Sequence, residues 1–121
     1  MELDEFGNIQ MTDSEFRDIV KNDSLRVLKE QFIIDNNDLK VASETGIVYD
    51  ANEKSQNRLS NALATLTEGE TIEWVSANNT IHTLSREQVK NILKLAITHQ
   101  TNLVISYNNS KRVIETTGET I

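Results

Sequence analysis

TIEWVSANNTIHTLSREQ (Thr71–Gln88) holds two runs rich in β-branched residues, Thr71–Val75 and Thr80–Leu84, with Ala77, Asn78 and Asn79 between them. Asparagine tolerates the positive φ that a tight connection needs, so the segment predicts a β-hairpin. Two-residue periodicity puts Ile72 and Trp74 on one face, which marks Trp74 as the anchor where the hairpin lies on helices. Ser85 and Gln88 then form a capping box, in which each side chain satisfies the other's backbone amide, and a helix should open there. Val89, Leu93, Ala96, Gln100, Leu103 and Tyr107 recur at helical spacing, and Ile92, Leu95, Ile97, Val104 and Ile105 widen the stripe. Thr101 and Asn108-Asn109-Ser110 are expected interruptions, and Thr116-Thr117-Gly118 should end the helix.

The same signals recur upstream. Thr12 with Glu15 is a capping box before Phe16, Ile19, Val20, Val27, Leu28 and Phe32, although Asn22-Asp23-Ser24 interrupts that stripe and implies a bend or a second cap at Asp23. Asp35 to Glu44 has loop composition, with a short extended Leu39-Lys40-Val41. Gly46 to Tyr49 forms a strand expected to join the hairpin as a third member, since a lone hairpin is only marginally stable. Asp50 with Glu53 repeats the capping pattern and predicts a helix from Ala51 to about Leu66, with Leu59, Ala62, Leu63 and Leu66 on one side. The expected fold class is α+β, one domain around one core. Its segments are an acidic, flexible N-terminus (1–11) with only Phe6 and Ile9 to anchor it, a helical segment (12–45), an α+β domain (46–116) and a tail (117–121).

Composition excludes several function classes. Cysteine is absent, so disulfides and thiolate zinc sites are ruled out and a reducing compartment fits. Glu2, Asp4 and Glu5 stand where a secretion signal would carry basic and apolar residues, and nothing approaches a membrane-spanning apolar run. The expectation is therefore no membrane association. Net charge is −7, with an acidic front to Asp50 and a mildly basic back from Ser85, which can attract each other within the fold or between copies. An acidic chain lacks the clustered cations that phosphate neutralisation needs, so no nucleic-acid partner is expected.

No constellation for bond-making chemistry stands out. His82 and His99 have no metal-ligand spacing around them, and most carboxylates at helix starts, such as Asp13, Glu15, Asp50, Glu53 and Glu87, are accounted for by capping. Glu68 and Glu70 are an exposed pair with nothing nearby to hold one of them protonated. Asp35-Asn36-Asn37-Asp38 imitates a calcium loop but lacks the central glycine. No G-x-S-x-G or phosphate-cradling glycine loop occurs. The expectation is no catalytic residue, no cofactor and no metal.

Four stretches nevertheless occur in a telling order: Tyr49-Asp50-Ala51-Asn52-Glu53-Lys54-Ser55-Gln56-Asn57-Arg58, then Asn61-Ala62-Leu63, then Trp74-Val75-Ser76-Ala77-Asn78-Asn79, then Leu84-Ser85-Arg86-Glu87-Gln88. Together they resemble a domain of unknown function, DUF4376-like, seen in tail-fibre and tail-assembly proteins of tailed phages and prophages. The resemblance runs from about Gly46 to Ile114, and that family offers no catalytic residue to carry over. Its motif positions here are Tyr49, Asp50, Ser55, Gln56, Arg58, Trp74, Asn78 and Asn79. Ser55, Gln56 and Arg58 are placed to hydrogen-bond strand or hairpin backbone, and Asn78 and Asn79 to form the turn.

The resemblance implies a non-enzymatic tail-associated protein, structural or assembly-related, with other phage tail proteins as partners and self-association open, located in the host cytoplasm or the virion tail. The last helix shows no sustained a/d heptads that would establish a coiled coil. Two alternatives differ in class: a small ligand-binding protein or enzyme with a pocket near Trp74 and His82, and a transcriptional regulator in which helices broken at Asn22-Asp23-Ser24 form a helix-turn-helix with Ser24 to Ile34 as the recognition segment.

Overall fold

The structure is a computed structural model that describes residues 2–3, 9–10 and 12–117. Its elements are β1 (Glu2–Leu3), β2 (Ile9–Gln10), α1 (Asp13–Asn37), β3 (Lys40–Ala42), β4 (Val48–Asp50), α2 (Glu53–Thr65), β5 (Thr71–Val75), β6 (Ile81–Ser85) and α3 (Arg86–Thr117). Helices dominate and the strands pair antiparallel in sequence order, so the class is α+β as expected. The chain divides into two compact units, residues 33–104 and residues 1–32 with 105–121. Phe6, one of the two N-terminal anchors expected above, lies outside the described residues.

The core of the 33–104 unit gathers Val41 (β3), Tyr49 (β4), Ala51, Leu59 and Ala62 (α2), Leu84 (β6), and Val89, Ile92 and Ala96 (α3). The β5–β6 register pairs Trp74 with His82 and Ile72 with Leu84. Ile72 and Trp74 pack against the core cluster, whereas Glu73, Val75, Ile81 and Thr83 are exposed, the alternation that a one-sided hairpin requires. In the connecting turn Asn79 takes φ 64°, its N–H donates to the Ser76 carbonyl (3.0 Å), and the Ser76 N–H donates to the Thr80 carbonyl (2.8 Å).

The strand at Val48 does not become a third member of that hairpin. β4 pairs with β3 instead, Val41 opposite Tyr49, because Gly46 at φ 85° closes a turn in which the Ser43 N–H donates to the Ile47 carbonyl (2.8 Å). A single bond, from the Ala77 N–H to the Val48 carbonyl (2.9 Å), ties β4 to the hairpin tip.

Two of the three helix starts follow the capping pattern. Glu15 N–H donates to Thr12 Oγ1 (3.1 Å), and the Ser85–Gln88 box is reciprocal, Gln88 N–H to Ser85 Oγ (3.2 Å) and Ser85 N–H to Gln88 Oε1 (2.8 Å). The third departs from it. The cap of α2 is Asn52, not Asp50: its Oδ1 accepts from the Ser55 N–H (2.9 Å), and its Nδ2 donates to the carbonyl of Asn37 at the end of α1 (3.1 Å). Asp50 stays in β4 opposite Lys40, whose ammonium lies 3.9 Å from its carboxylate.

Neither long helix breaks where polar clusters suggested. Asn22-Asp23-Ser24 stays helical, with Arg26 bridging Asp23 (2.8 Å) and Glu30 (2.9 Å), so the turn of a helix-turn-helix is not formed there. Residues 35–37 are the last turn of α1 rather than part of a loop. α3 runs through Thr101 and Asn108-Asn109-Ser110 to Thr117. In the unit formed by residues 1–32 and 105–121, Phe32 stacks on Tyr107 with centroids 4.5 Å apart, and Ile114 is buried.

Asn52→Ala removes a helix cap and the bond to Asn37 together, and is expected to cost about 1–2 kcal/mol. Asp50→Ala loses only an exposed ion pair, worth less than about 1 kcal/mol. Thermal unfolding followed by circular dichroism should therefore show the larger drop in Tm for Asn52→Ala.

Candidate functional site

Five of the eight motif residues converge. Asp50 at the end of β4, Ser55 and Arg58 on α2, Trp74 on β5 and Asn79 in the hairpin turn line one open cleft of about 480 Å³, together with Glu73, Val75 and Ser76. The Asn52 cap fixes where α2 begins, and Ser55 and Arg58 follow one turn apart on the helix. Trp74 is half-buried, one side of its indole held against the core cluster by the inward alternation of β5. Arg58 is exposed and its guanidinium makes no hydrogen bond or ion pair among the described residues.

The other three motif residues turn elsewhere. Gln56 Nε2 donates to the Ala51 carbonyl (2.8 Å), bracing the junction between β4 and α2. Asn78 Oδ1 accepts from the hydroxyls of Ser76 and Thr80 (2.7 Å for Thr80) and so knits the hairpin turn. Tyr49 is 1% exposed, its ring edge-on to His82 with centroids 6.2 Å apart, and its hydroxyl is buried without a hydrogen-bond partner among the described residues.

His82 and Trp74, opposite one another in the hairpin, line different hollows. His82 borders a space of about 450 Å³ with Gly46, Val48 and Asn78, and its Nε2 sits 2.8 Å from Thr80 Oγ1. Glu70 is turned to local structure: the Thr67 N–H (2.8 Å) and hydroxyl both donate to its carboxylate, and these bonds to the charged form hold its pKa below the usual carboxylate range. It latches the turn that leads into β5. No group of three or more His, Cys, Asp or Glu side chains comes together among the described residues.

One concavity is lined by none of the eight motif residues. The Ser43–Thr45 turn and the first three turns of α3 enclose about 350 Å³ over an apolar floor of Leu84, Ile92 and Leu95, rimmed by Glu44, Gln88, Asn91 and Lys94. Its only trace in the sequence is Leu95, an apolar residue off the main α3 stripe. The Trp74 cleft is better supplied with recognition groups: two carboxylates, a guanidinium, an amide, hydroxyls and an indole. Ser76 Oγ is already committed to the turn, and Ser55 makes no side-chain hydrogen bond among the described residues, so the arrangement is equipped to bind rather than to activate a nucleophile.

Residues 26–120 match the family described as domain of unknown function (DUF4376). The chain belongs to this family. Neither a curated protein nor a solved structure matches it. The DUF4376 segment begins inside α1, twenty residues before Gly46, where the motif resemblance starts, and so takes in the second half of a helix that the motifs alone do not reach. It contains the whole cleft.

Tyr49→Phe removes an unsatisfied buried hydroxyl while keeping the ring, so stability at neutral pH should be unchanged or higher. Burial raises the Tyr49 pKa. Above the ordinary tyrosine value of about 10 the unfolded chain therefore releases a proton that the folded chain retains, and stability falls as pH rises. Urea titrations between neutral pH and pH 11 should show a shallower alkaline loss in the Phe variant. A clear loss of stability at pH 7 would instead reveal a partner for the hydroxyl.

Proposed function

We propose that this DUF4376 protein is a non-enzymatic phage or prophage tail-associated module, structural or assembly-related, that engages other tail proteins by surface complementarity through the hairpin face of its 33–104 unit. The observation that carries the reading is the surroundings of the Trp74 cleft. Val75 and Ile81 face each other across β5 and β6 and are 55% and 67% exposed, beside a cleft edged with charges of both signs. Apolar anchors flanked by polar groups are the usual composition of a binding patch. Among the described residues β5 and β6 pair only with each other, which leaves strand edges on which a partner strand can add. The tail association itself is supported by the ordered motifs shared with tail-fibre and tail-assembly proteins. No helix of the described residues is long and apolar enough to cross a membrane.

A second reading, a small polar ligand held beside Trp74, is favoured by the unpaired Arg58 in a cleft of about 480 Å³. It differs from the first in what Arg58→Ala would abolish: binding of a small molecule rather than of a protein.

The tagged chain is expected to co-purify with tail proteins from a phage-producing host. Val75→Asp with Ile81→Asp should abolish that capture with Tm nearly unchanged, since both side chains are exposed. Capture that persists in the double variant, or a gene lying far from any phage cluster, would count decisively against the proposal.

A further inference from the structure

Both long helices carry an exposed apolar face besides the one they pack. On α1, Leu25, Leu28 and Phe32 are half-buried, with Phe32 stacked on Tyr107. Another side of the same helix bears Asp13, Phe16, Val20, Asp23 and Val27 at alternating intervals of three and four residues. Phe16 and Val27 are 55% and 51% exposed, and neighbouring Ile19 is 48% exposed. On α3 the packed stripe passes through Val89, Ile92 and Ala96. Beside it Lys90, Lys94, Ile97, Thr101 and Val104 keep the same three-and-four spacing, with Ile97 49% and Val104 37% exposed. A 3.5-residue repeat is the spacing at which one helix keeps a constant seam toward another. Ile97 and Val104 lie off the packed stripe, so the repeat they keep is separate from it.

The two seams, exposed except at the half-buried Val20, are complementary in charge. The α1 seam carries Asp13 and Asp23, with Glu30 next in the repeat and Arg26 shared between the last two, and the α3 seam carries Lys90 and Lys94, which make no ion pair among the described residues. Laid side by side in opposite directions, the repeats bring Val27 to Ile97, Asp23 to Thr101, Val20 to Val104 and Glu30 to Lys94. In the same direction they bring Asp13 to Lys90, Val20 to Ile97 and Val27 to Val104. In either direction two apolar layers meet two apolar layers and one acid meets one base, Glu30 with Lys94 or Asp13 with Lys90, while Asp23 faces Thr101 in both and Phe16 faces Lys94 in the second. Two α1 seams facing one another in parallel register would instead stack carboxylates, and two α3 seams in that register would stack ammonium groups, each a repulsive arrangement.

We propose that the partner of these seams is a second copy of this chain, with α1 of one copy docked on α3 of the other. The contact is heterologous at the level of the helices, α1 of one copy against α3 of another. It leaves the Trp74 cleft out of the seam residues and is independent of the tail partner proposed above.

Light scattering on a size-exclusion column tests this with the full chain and two variants, Val27→Asp and Ile97→Asp, each placed on an exposed position and checked for unchanged circular dichroism. The wild type is expected to associate, less so as NaCl rises and screens the opposed charges. Each variant alone should associate at least about tenfold more weakly, the scale of losing one apolar layer to a charge. Mixed in equal amounts, the two should associate again, because the mixture restores one intact α1 seam facing one intact α3 seam. Lys90→Glu with Lys94→Glu, which leaves the apolar residues in place, should weaken association as well. A monomeric wild type, a single variant that associates like the wild type, or a mixture that remains monomeric would each overturn the proposal. A monomer that still captured tail proteins would overturn this inference alone and leave the proposed function standing.

Discussion

The burial of Tyr49, Leu59, Val89 and Ile92 in one cluster is the interaction on which the rest of the 33–104 unit depends. With six aromatics in the chain, no element has a large apolar surface of its own. β3–β4 brings Val41 and Tyr49, β6 brings Leu84, and each two-stranded hairpin would be marginal in isolation. The helices therefore supply the floor on which the strands become stable. Ala51 and Ala96 are fully buried within the same cluster, so at those points the core is filled by neighbours brought close rather than by bulk, and added methylenes there would force strain.

Polar ties set the positions of the elements around that cluster. One amide, Asn52, caps α2 with its oxygen and holds the last carbonyl of α1 with its nitrogen. Arg86 Nε donates to the carbonyl of Leu66 (3.1 Å), so the first turn of α3 also receives the end of α2. Gln100 reaches Asn36 (3.1 Å), joining α3 to the last turn of α1. Carbonyls at helix ends have no partner within their helix, and here side chains from elsewhere in the chain satisfy them. Where Asn52 and Arg86 reach the carbonyls of Asn37 and Leu66, satisfying a carbonyl and fixing the chain path are the same act.

Local chemistry was legible in the sequence wherever a signal acts within a few residues. The Ser85–Gln88 box, the Asn79 turn and the alternation of Ile72 and Trp74 all involve partners no more than a handful of positions apart. What escaped is set by distance or by competition. The partner of β4 was missed because strand pairing depends on a turn geometry, Gly46 at positive φ, that favours the preceding residues over the hairpin fifteen or more positions away. Asn52 outcompeted Asp50 as a cap because Asp50 is held in the β3–β4 ladder, an outcome that propensity cannot weigh. Asn22-Asp23-Ser24 looked like a break because such side chains compete for backbone bonds, but Arg26 draws Asp23 outward and the helix continues. The convergence of Asp50, Ser55, Arg58, Trp74 and Asn79 was legible only as a list of motif positions, since periodicity says nothing about which residues of a helix and a strand share a cleft.

The charge asymmetry of the chain acquires a meaning from where its ion pairs lie. Asp23 and Glu30 pair with Arg26, Lys111 faces Glu115 and Lys40 faces Asp50, each within one helix or one hairpin. Such exposed local pairs contribute little stability individually and neutralise charge only where it sits. They leave the acidic first fifty residues and the basic last third with a residual field of opposite sign, which within a Debye length steers whatever approaches. Selection for folding alone would not require that separation, because the core is apolar and the ties between elements are neutral amides, carbonyls and one guanidinium. Charge segregated in this way is presented to whatever approaches the chain from outside.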